Sequence, residues 1–308
     1  MRFPKVSIII LNWNGWKDTL ECLESLYQIT YPNYEVVVVD NDSKNQSVKM
    51  IKNWVDKTLS DKKLLLIKNN KNYGFAGGNN IAINQVLKEK KSDYALLLNN
   101  DTVVDKNFLT ELINVAEKKE NIGIVGPKIY YYNFHDRKDI IQSVGTKANL
   151  YTARLSNYGN KRIDEKQFEK TKSVDCICGA CLLIKRKVIN KIGLLNEKFF
   201  AYLEDVDWSL RAKKHGFKVI CVPRSKIWHK EGISLKKSPG ISLFYGTRNT
   251  FFVEKIHANV FQFYIFIFYY FLIKFPKKIV YCLLFKDRIN VLRNYFKGLK
   301  EGILNDPI

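Results

Sequence analysis

The sequence predicts an α/β fold built on a parallel-dominated sheet flanked by helices. Continuous apolar runs of strand length recur at residues 6–11 (VSIIIL), 36–39 (VVVV), 64–67 (LLLI) and 94–98 (YALLL). Such runs are the mark of strands buried on both faces, because helices cover both sides of a parallel sheet. Segments of helical period separate them, giving β-α-β-α-β-α-β over about the first hundred residues. Two of the runs end in clusters containing an acid, Asp40 and Asn99-Asn100-Asp101, at the carboxyl edge where open α/β sheets bind ligands.

The elements follow in order. After the first strand, Asn12-Trp13-Asn14-Gly15 turns the chain into a helix marked by Trp16, Leu20, Leu23, Leu26 and Tyr27. Pro32-Asn33 punctuates the next turn, and the second strand ends at Asp40, before Asn41-Asp42-Ser43. Val48, Ile51, Trp54 and Val55 mark a second helix. The third strand leads into a glycine-rich stretch, Asn72 to Asn80, read as a turn before a helix over 81–87. Strand, glycine-rich turn and helix is an arrangement that lets backbone N–H groups face a phosphate. The spacing fits neither GxGxxG nor a P-loop. Phe108–Ala116 reads as a helix, and 122–125 as a short strand closed by Gly126-Pro127. Residues 130–172 are polar and rich in Tyr and Lys, and read as loop and hairpin of the kind that carries partner contacts. Residues 173–184 resume a strand-like pattern, interrupted at Gly179-Ala180.

Glu204-Asp205-Val206-Asp207 opens a helix that Gly216 closes. Capping and the helix dipole account for one or two acids there; three, flanked by Phe199, Phe200 and Trp208, point to one facing a pocket. A strand over 218–222 and then Trp228-His229 follow.

The chain has 308 residues, 46% of them hydrophobic, enough for an ample core. Its 51 Lys+Arg against 30 Asp+Glu leave a net charge of +21, which calls for an anionic partner: nucleic acid, a phosphorylated small molecule or an anionic membrane. Nucleic acid is set aside, because no recognisable binding motif accompanies the charge. The cysteines do not form a disulfide framework. Cys176, Cys178 and Cys181 have no second cluster to complete a tetrahedral zinc site and sit among apolar residues, so buried thiols in a reducing compartment are expected. The apolar run at 6–11 is too short for a secretory signal.

Taken in order, VSIIILNWNG, VVVVDNDS, NYGFAGGNN, LLLNNDTVV, GACLLIKR, FFAYLEDVDWSLRAKKHG, WHKEG and YGTRN resemble the motifs of a family 2 glycosyltransferase of the GT-A fold. The branch resembled is the one that includes rhamnosyltransferases of cell-surface polysaccharides. The resemblance spans residues 6–249. It implies that Asp40 contacts the nucleobase in a pocket lined by Asn12 and Asn14, with Asp101 and His229 holding Mg2+ or Mn2+ on the donor diphosphate. Asp205 would be the catalytic base and Arg248 would lie near the diphosphate. Asp42, Gly74, Phe75, Asn79, Asn99, Asn100, Glu204 and Trp208 complete the implied substrate-binding set. Asn99 stands where many members carry Asp, which removes one carboxylate ligand. The implied activity is inverting transfer of a sugar, rhamnose from dTDP-rhamnose or a hexose from a UDP-linked donor, to a glycan or lipid-linked glycan. A non-catalytic nucleotide-sugar-binding protein is the alternative of a different class.

Residues 1–240 are expected to form the glycosyltransferase domain, with 1–104 binding the donor and 105–240 the acceptor. Residues 241–308 form a basic, aromatic, helical tail. The apolar run 260–273 is short for a spanning helix, which needs about 20 residues. Lysines separate it from a second run at 279–285, a pattern suited to an anionic bilayer surface. The tail is therefore expected to associate with a membrane, placing the protein peripherally on the cytoplasmic face of the plasma membrane. A packed subdomain or a homo-oligomer contact is the competing reading.

Overall fold

The structure is a computed structural model that describes residues 3–58, 64–88, 92–230 and 239–308. The first half is the expected alternation: β1 (Val6–Asn12), α1 (Trp16–Leu26), β2 (Tyr34–Asp40), α2 (Ser47–Thr58), β3 (Leu64–Lys68), α3 (Gly74–Lys88) and β4 (Tyr94–Asn99). β1 pairs in parallel with β2 on one side and β4 on the other, and β3 extends the sheet beyond β2. The register sets Asn12 beside Asp40 and Leu11 beside Asn99, so the polar strand ends share one edge.

A short β5 (Thr102–Val104) and α4 (Phe108–Ala116) lead to β6 (Ile122–Tyr131). β7 (Ile141–Ser143), β8 (Thr146–Asn149), β9 (Arg154–Asn157) and β10 (Lys172–Ser173) follow, then β11 (Cys181–Lys185) and α5 (Arg186–Ile192). The chain continues through a 3-10 turn at Glu197–Phe199, α6 (Glu204–Lys214) and β12 (Lys218–His229). β11 runs antiparallel between β4 and β6, and β12 lies parallel to β6 on its far side. The sheet is thus mixed, parallel through its first half and interrupted by β11. Apolar layers cover both faces, one under α1 and α4 and the other under α3 and α6.

β6 does not stop at Gly126-Pro127 as the sequence suggested. It runs on to Tyr131, because β11 pairs only as far as Val125 and leaves the next stretch bonded on its β12 side. Proline is tolerated where one side of a strand needs no donor.

The glycine-rich stretch also differs from expectation: it is the beginning of α3 and not a turn before it. The N–H groups of Phe75 and Ala76 both donate to Phe200 O, at 2.6 and 3.2 Å. Donors that a helix start would offer to a phosphate are therefore taken by a backbone carbonyl. Gly74 has φ of 72°, and a Cβ there would lie 2.3 Å from Phe200 O. A Cβ on Gly78 would lie 2.6 Å from Leu11 Cδ1. These glycines let α3 lie against β1 and the Phe200 turn. Gly74→Ala is expected to cost about 1–2 kcal/mol from the backbone conformation alone, and more from the clash. A chemical-denaturation midpoint equal to the parent's would show that this contact does not hold the turn.

After α7 (Pro239–His257), α8 (Val260–Tyr269) runs into a π-helical turn at Tyr270–Lys274, then α9 (Phe275–Leu283) and α10 (Arg288–Leu304). The apolar run 260–273 is divided between two environments. Phe266 and Tyr270 are buried against Phe251 and Leu299, whereas Val260, Phe261, Tyr264 and Phe268 are exposed. Among the described residues, no helix is long and apolar enough to cross a membrane. The tail also reaches back to the first part of the chain. Asn249 Nδ2 donates to the carbonyls of Phe199, Ala201 and Tyr202, and Asn196 Nδ2 donates to Pro307 O at 2.7 Å.

Candidate active site

The bend after β4 brings Asp101 and His229 together. β5, immediately after Asp101, pairs antiparallel with the end of β12, so Thr102 stands opposite His229. The Lys230 N–H donates to Asp101 O at 3.0 Å, continuing the ladder past the strand end. His229 Nε2 lies 3.1 Å from Asp101 Oδ1, and Asn99 Nδ2 is 3.4 Å from the same ring nitrogen. His229 Nδ1 faces Gln142 Oε1 at 3.1 Å; donation to that oxygen fixes the ring and leaves Nε2 toward Asp101. Burial acts to raise the Asp101 pKa, but the contact with His229 and the nearby Lys230 outweigh it and hold the carboxyl below its ordinary value.

Asp101, His229, Asn99 and Asn100 line a cavity of about 590 Å³, together with Phe75, Gly179, Glu204 and Asp205. Asn100 is held by Thr19 Oγ1 at 3.0 Å. The two acids enter from the start of α6. Asp205 Oδ2 accepts from Gly179 N at 2.7 Å and its Oδ1 from Val206 N at 2.8 Å, so backbone donors aim the carboxyl. Burial still pushes its pKa up against those donors. Glu204 is 5% exposed, and its Oε2 has no hydrogen-bond partner. Burial, then the neighbouring Asp205, raise its carboxyl to about 8. Asp207 faces elsewhere, paired with Arg211 Nη2 at 2.7 Å and His257 Nε2 at 2.9 Å.

Several residues assigned by resemblance have other work. Trp208 is wholly buried and its indole N–H donates to Gly193 O at 3.0 Å, which makes it a core residue and not a substrate contact. Asn79 is buried and donates to Phe75 O one turn back, so it too does not face a ligand. Arg248 points away from the cavity: Nη2 donates to Lys198 O and Phe199 O at 2.8 Å, bracing the turn ahead of Glu204. Gly74 makes close contact with that turn and does not line the cavity.

The proposed base pocket is closed over by its own hydrogen bonds. Asn12 is fully buried; its Nδ2 donates to Asp40 Oδ2 at 2.7 Å and its Oδ1 accepts from Thr19 Oγ1 at 2.9 Å. Asp40 Oδ1 accepts from Ser43 N at 3.0 Å. This pair ties together the loops after β1 and β2 beneath the surface. Asn14 Oδ1 accepts from Lys44 N, and Asp42 pairs with Lys44 Nζ at 2.7 Å, both on the rim.

The sequence reading missed Gln142, Thr146, Asn157 and Asn160, which line the cavity from the polar stretch after β6. Its polar, aromatic composition signalled a contact loop, but nothing in it singled out these four. Glu231 and Gly232 of WHKEG lie outside the described residues. No three-thiol metal site forms: Cys176 and Cys181 are buried, burial raises both thiols, and no group of three His, Cys, Asp or Glu suited to a metal occurs among the described residues.

The arrangement of sheet and cavity defines a GT-A-type fold. A mannosyltransferase from Pyrobaculum calidifontis, solved with GDP-Man and Mn2+, superimposes with a TM-score of 0.61 at 14% identity, covering 98% of this chain and 76% of that one. Residues 4–239 match the family described as glycosyltransferase like family 2, and the chain belongs to that family. It is 28% identical over 214 residues to the low-salt glycan biosynthesis hexosyltransferase Agl10 of Haloferax volcanii, covering 70% of this chain and 63% of the relative. It is 26% identical over 257 residues to the dTDP-rhamnosyl transferase RfbF of Shigella flexneri, covering 79% and 77%. Several curated relatives are longer proteins; the chain spans from 18% to 63% of four of them.

Asp101 and His229 suit a hard divalent cation as two of its ligands, one oxygen and one nitrogen on the same cavity wall. Two protein ligands are few, but such ions are commonly completed by substrate phosphate oxygens and water. Asn99 adds an amide where a second carboxylate would otherwise stand.

Proposed function

We propose that this protein is an inverting glycosyltransferase that moves a sugar from a nucleoside diphosphate to a glycan or lipid-linked glycan acceptor. The observation that carries the reading is one cavity walled by Asp101 and His229 together with Glu204 and Asp205. Mg2+ or Mn2+, held by Asp101 and His229, would neutralise charge on the donor diphosphate as it leaves. Asp205, aimed by the N–H groups of Gly179 and Val206, takes the proton of the acceptor hydroxyl. The new C–O bond forms at the anomeric carbon as the bond to the diphosphate breaks, and the leaving group carries away the electron pair. Attack by the acceptor oxygen from the face opposite the leaving diphosphate, with Asp205 taking only the proton, gives inversion. Glu204, with an unpartnered buried oxygen, is placed to accept a sugar hydroxyl.

The relative named as a dTDP-rhamnosyl transferase favours dTDP-rhamnose as donor, and the hexosyltransferase relative keeps a UDP-hexose donor as the second reading. A panel of dTDP- and UDP-sugars, scored for Mn2+-dependent release of nucleoside diphosphate, separates them. Release from dTDP-rhamnose above all others is expected. Release from none, with metal present, would remove the catalytic reading and leave a binding protein.

We further propose a peripheral position on the cytoplasmic face of the plasma membrane. The exposed apolar side chains of α8, with the lysines that follow, support it. Removing the tail is a poor test, because α10 and α7 pack together and Phe251 is buried between them. Phe261→Ser combined with Phe268→Ser, both exposed, is the better one. Co-sedimentation with anionic vesicles should fall while the melting temperature holds; unchanged co-sedimentation would contradict the assignment.

A further inference from the structure

Next to the cavity of Asp205 lies a smaller pocket of about 240 Å³, walled mainly by Ala148, Leu150, Leu155, Leu203, Val206 and Val253. Leu155, Tyr202, Leu203 and Val206 line both spaces, so the pocket opens beside the two acids at the start of α6. Leu203 and Val206 flank Glu204 and Asp205 in sequence, whereas Asp101 and His229 line only the larger cavity. The pocket therefore lies on the side of the base and not on that of the donor diphosphate. Its volume is below the roughly 300 Å³ at which pockets for whole small molecules begin, so it holds a substituent and not an entire acceptor.

One polar group in the wall has capacity left. Glu254, on α7, is 1% exposed, and its Oε2 has no hydrogen-bond partner among the described residues. The other polar side chains there are engaged. Asn149 Oδ1 accepts from Tyr151 N at 2.9 Å, the Thr250 hydroxyl donates to Gly246 O at 2.7 Å, and the Tyr202 hydroxyl lies 3.3 Å from Ser242 Oγ. A buried carboxyl without a partner destabilises the free protein, and a ligand that satisfies it removes that cost. Burial raises Glu254 to about 8 against the charge of nearby Lys274, so at neutral pH it is mostly an uncharged acid that can donate. A lone hydroxyl would leave the apolar wall unfilled, and an ammonium group would face an uncharged acid. An acyl group suits both features: its methyl packs on valine and leucine, and its carbonyl oxygen accepts from the carboxyl O–H.

We propose that this pocket selects the acceptor by taking an acyl substituent, such as N-acetyl, on the sugar that carries the attacking hydroxyl, with Glu254 as the specificity-determining residue. The inference rests on the proposed transferase reading and adds to it the chemical class of the acceptor. It also gives the tail a part in the site, since α7 supplies Glu254.

The test is saturation-transfer NMR on the full chain with dTDP and Mn2+. The probes are the methyl β-glycosides of N-acetylglucosamine, glucosamine and glucose, and their galacto counterparts. In at least one series the acetyl methyl protons should receive the strongest saturation, and that glycoside should bind at least about tenfold more tightly than its hydroxyl and amine counterparts. Glu254→Leu should remove most of that preference, and Glu254→Gln, whose amide still donates, should keep most of it. Neither should lower the melting temperature, because Glu254 Oε2 has no partner to lose. A parent without preference for the acetylated sugars, or a preference undiminished in Glu254→Leu, would overturn the proposal. A melting temperature that falls in both variants would mark the carboxyl as structural and overturn it too. Release of nucleoside diphosphate from the donor panel, measured in parallel without acceptor, shows failure of the transferase reading separately from failure of the pocket.

Discussion

Asp101→Ala is expected to abolish turnover, by at least about 10²–10³-fold, while the protein still folds. Its side chain reaches only toward His229 in a partly open cavity, whereas the backbone carbonyl that accepts from Lys230 N–H is unaffected. The substitution leaves a lone histidine to face the donor diphosphate. His229→Ala should lower activity in the same direction, since both stand on one wall. Circular dichroism and melting temperature check the fold, and release of nucleoside diphosphate checks turnover. Full activity in Asp101→Ala would mean that the diphosphate is neutralised elsewhere, with the excess lysines as the first place to look.

Asp205→Asn is expected to lower kcat by roughly 10²–10⁴-fold with little change in donor affinity. The amide oxygen can still accept from Gly179 N–H, so the start of α6 and its turn should survive. Glu204→Gln is the informative partner. Burial and the neighbouring Asp205 raise the Glu204 carboxyl to about 8, and its free oxygen faces the same cavity. If it only binds a sugar hydroxyl, Gln should raise KM and spare most of kcat. Normal turnover in Asp205→Asn together with collapse in Glu204→Gln would transfer the role of base to Glu204. Asp207→Asn should instead destabilise the fold, because that carboxylate is buried between Arg211 and His257.

The strand cores were legible because burial on both faces leaves continuous apolar runs, and the edge of the sheet was legible because those runs stop at Asn12, Asp40 and Asn99. The pairing of Asp101 with His229 rested on motif resemblance, and the structure supplies its physical cause in the antiparallel contact of β5 with β12. What could not be read depends on partners far away in the chain. The glycine-rich stretch looked like a phosphate loop until Phe200 supplied the carbonyl that fills its N–H groups. Trp208 sits next to the acids in sequence, yet lies one helical face away from them in space. Pro127 looked like a strand terminator because nothing local shows that β11 has already ended. The tail's apolar run has no local mark that divides Phe266 and Tyr270, which are core, from Phe261 and Phe268, which are not.

The most direct measurement of the central claim is electron paramagnetic resonance of Mn2+ titrated into the protein with and without dTDP or UDP. The parent should bind Mn2+ weakly alone and tightly once the nucleoside diphosphate supplies phosphate oxygens, and both Asp101→Ala and His229→Ala should lose that gain. Mn2+ binding that ignores the nucleotide, or that survives both substitutions unchanged, would contradict a metal-assisted nucleotide-sugar site at this cavity.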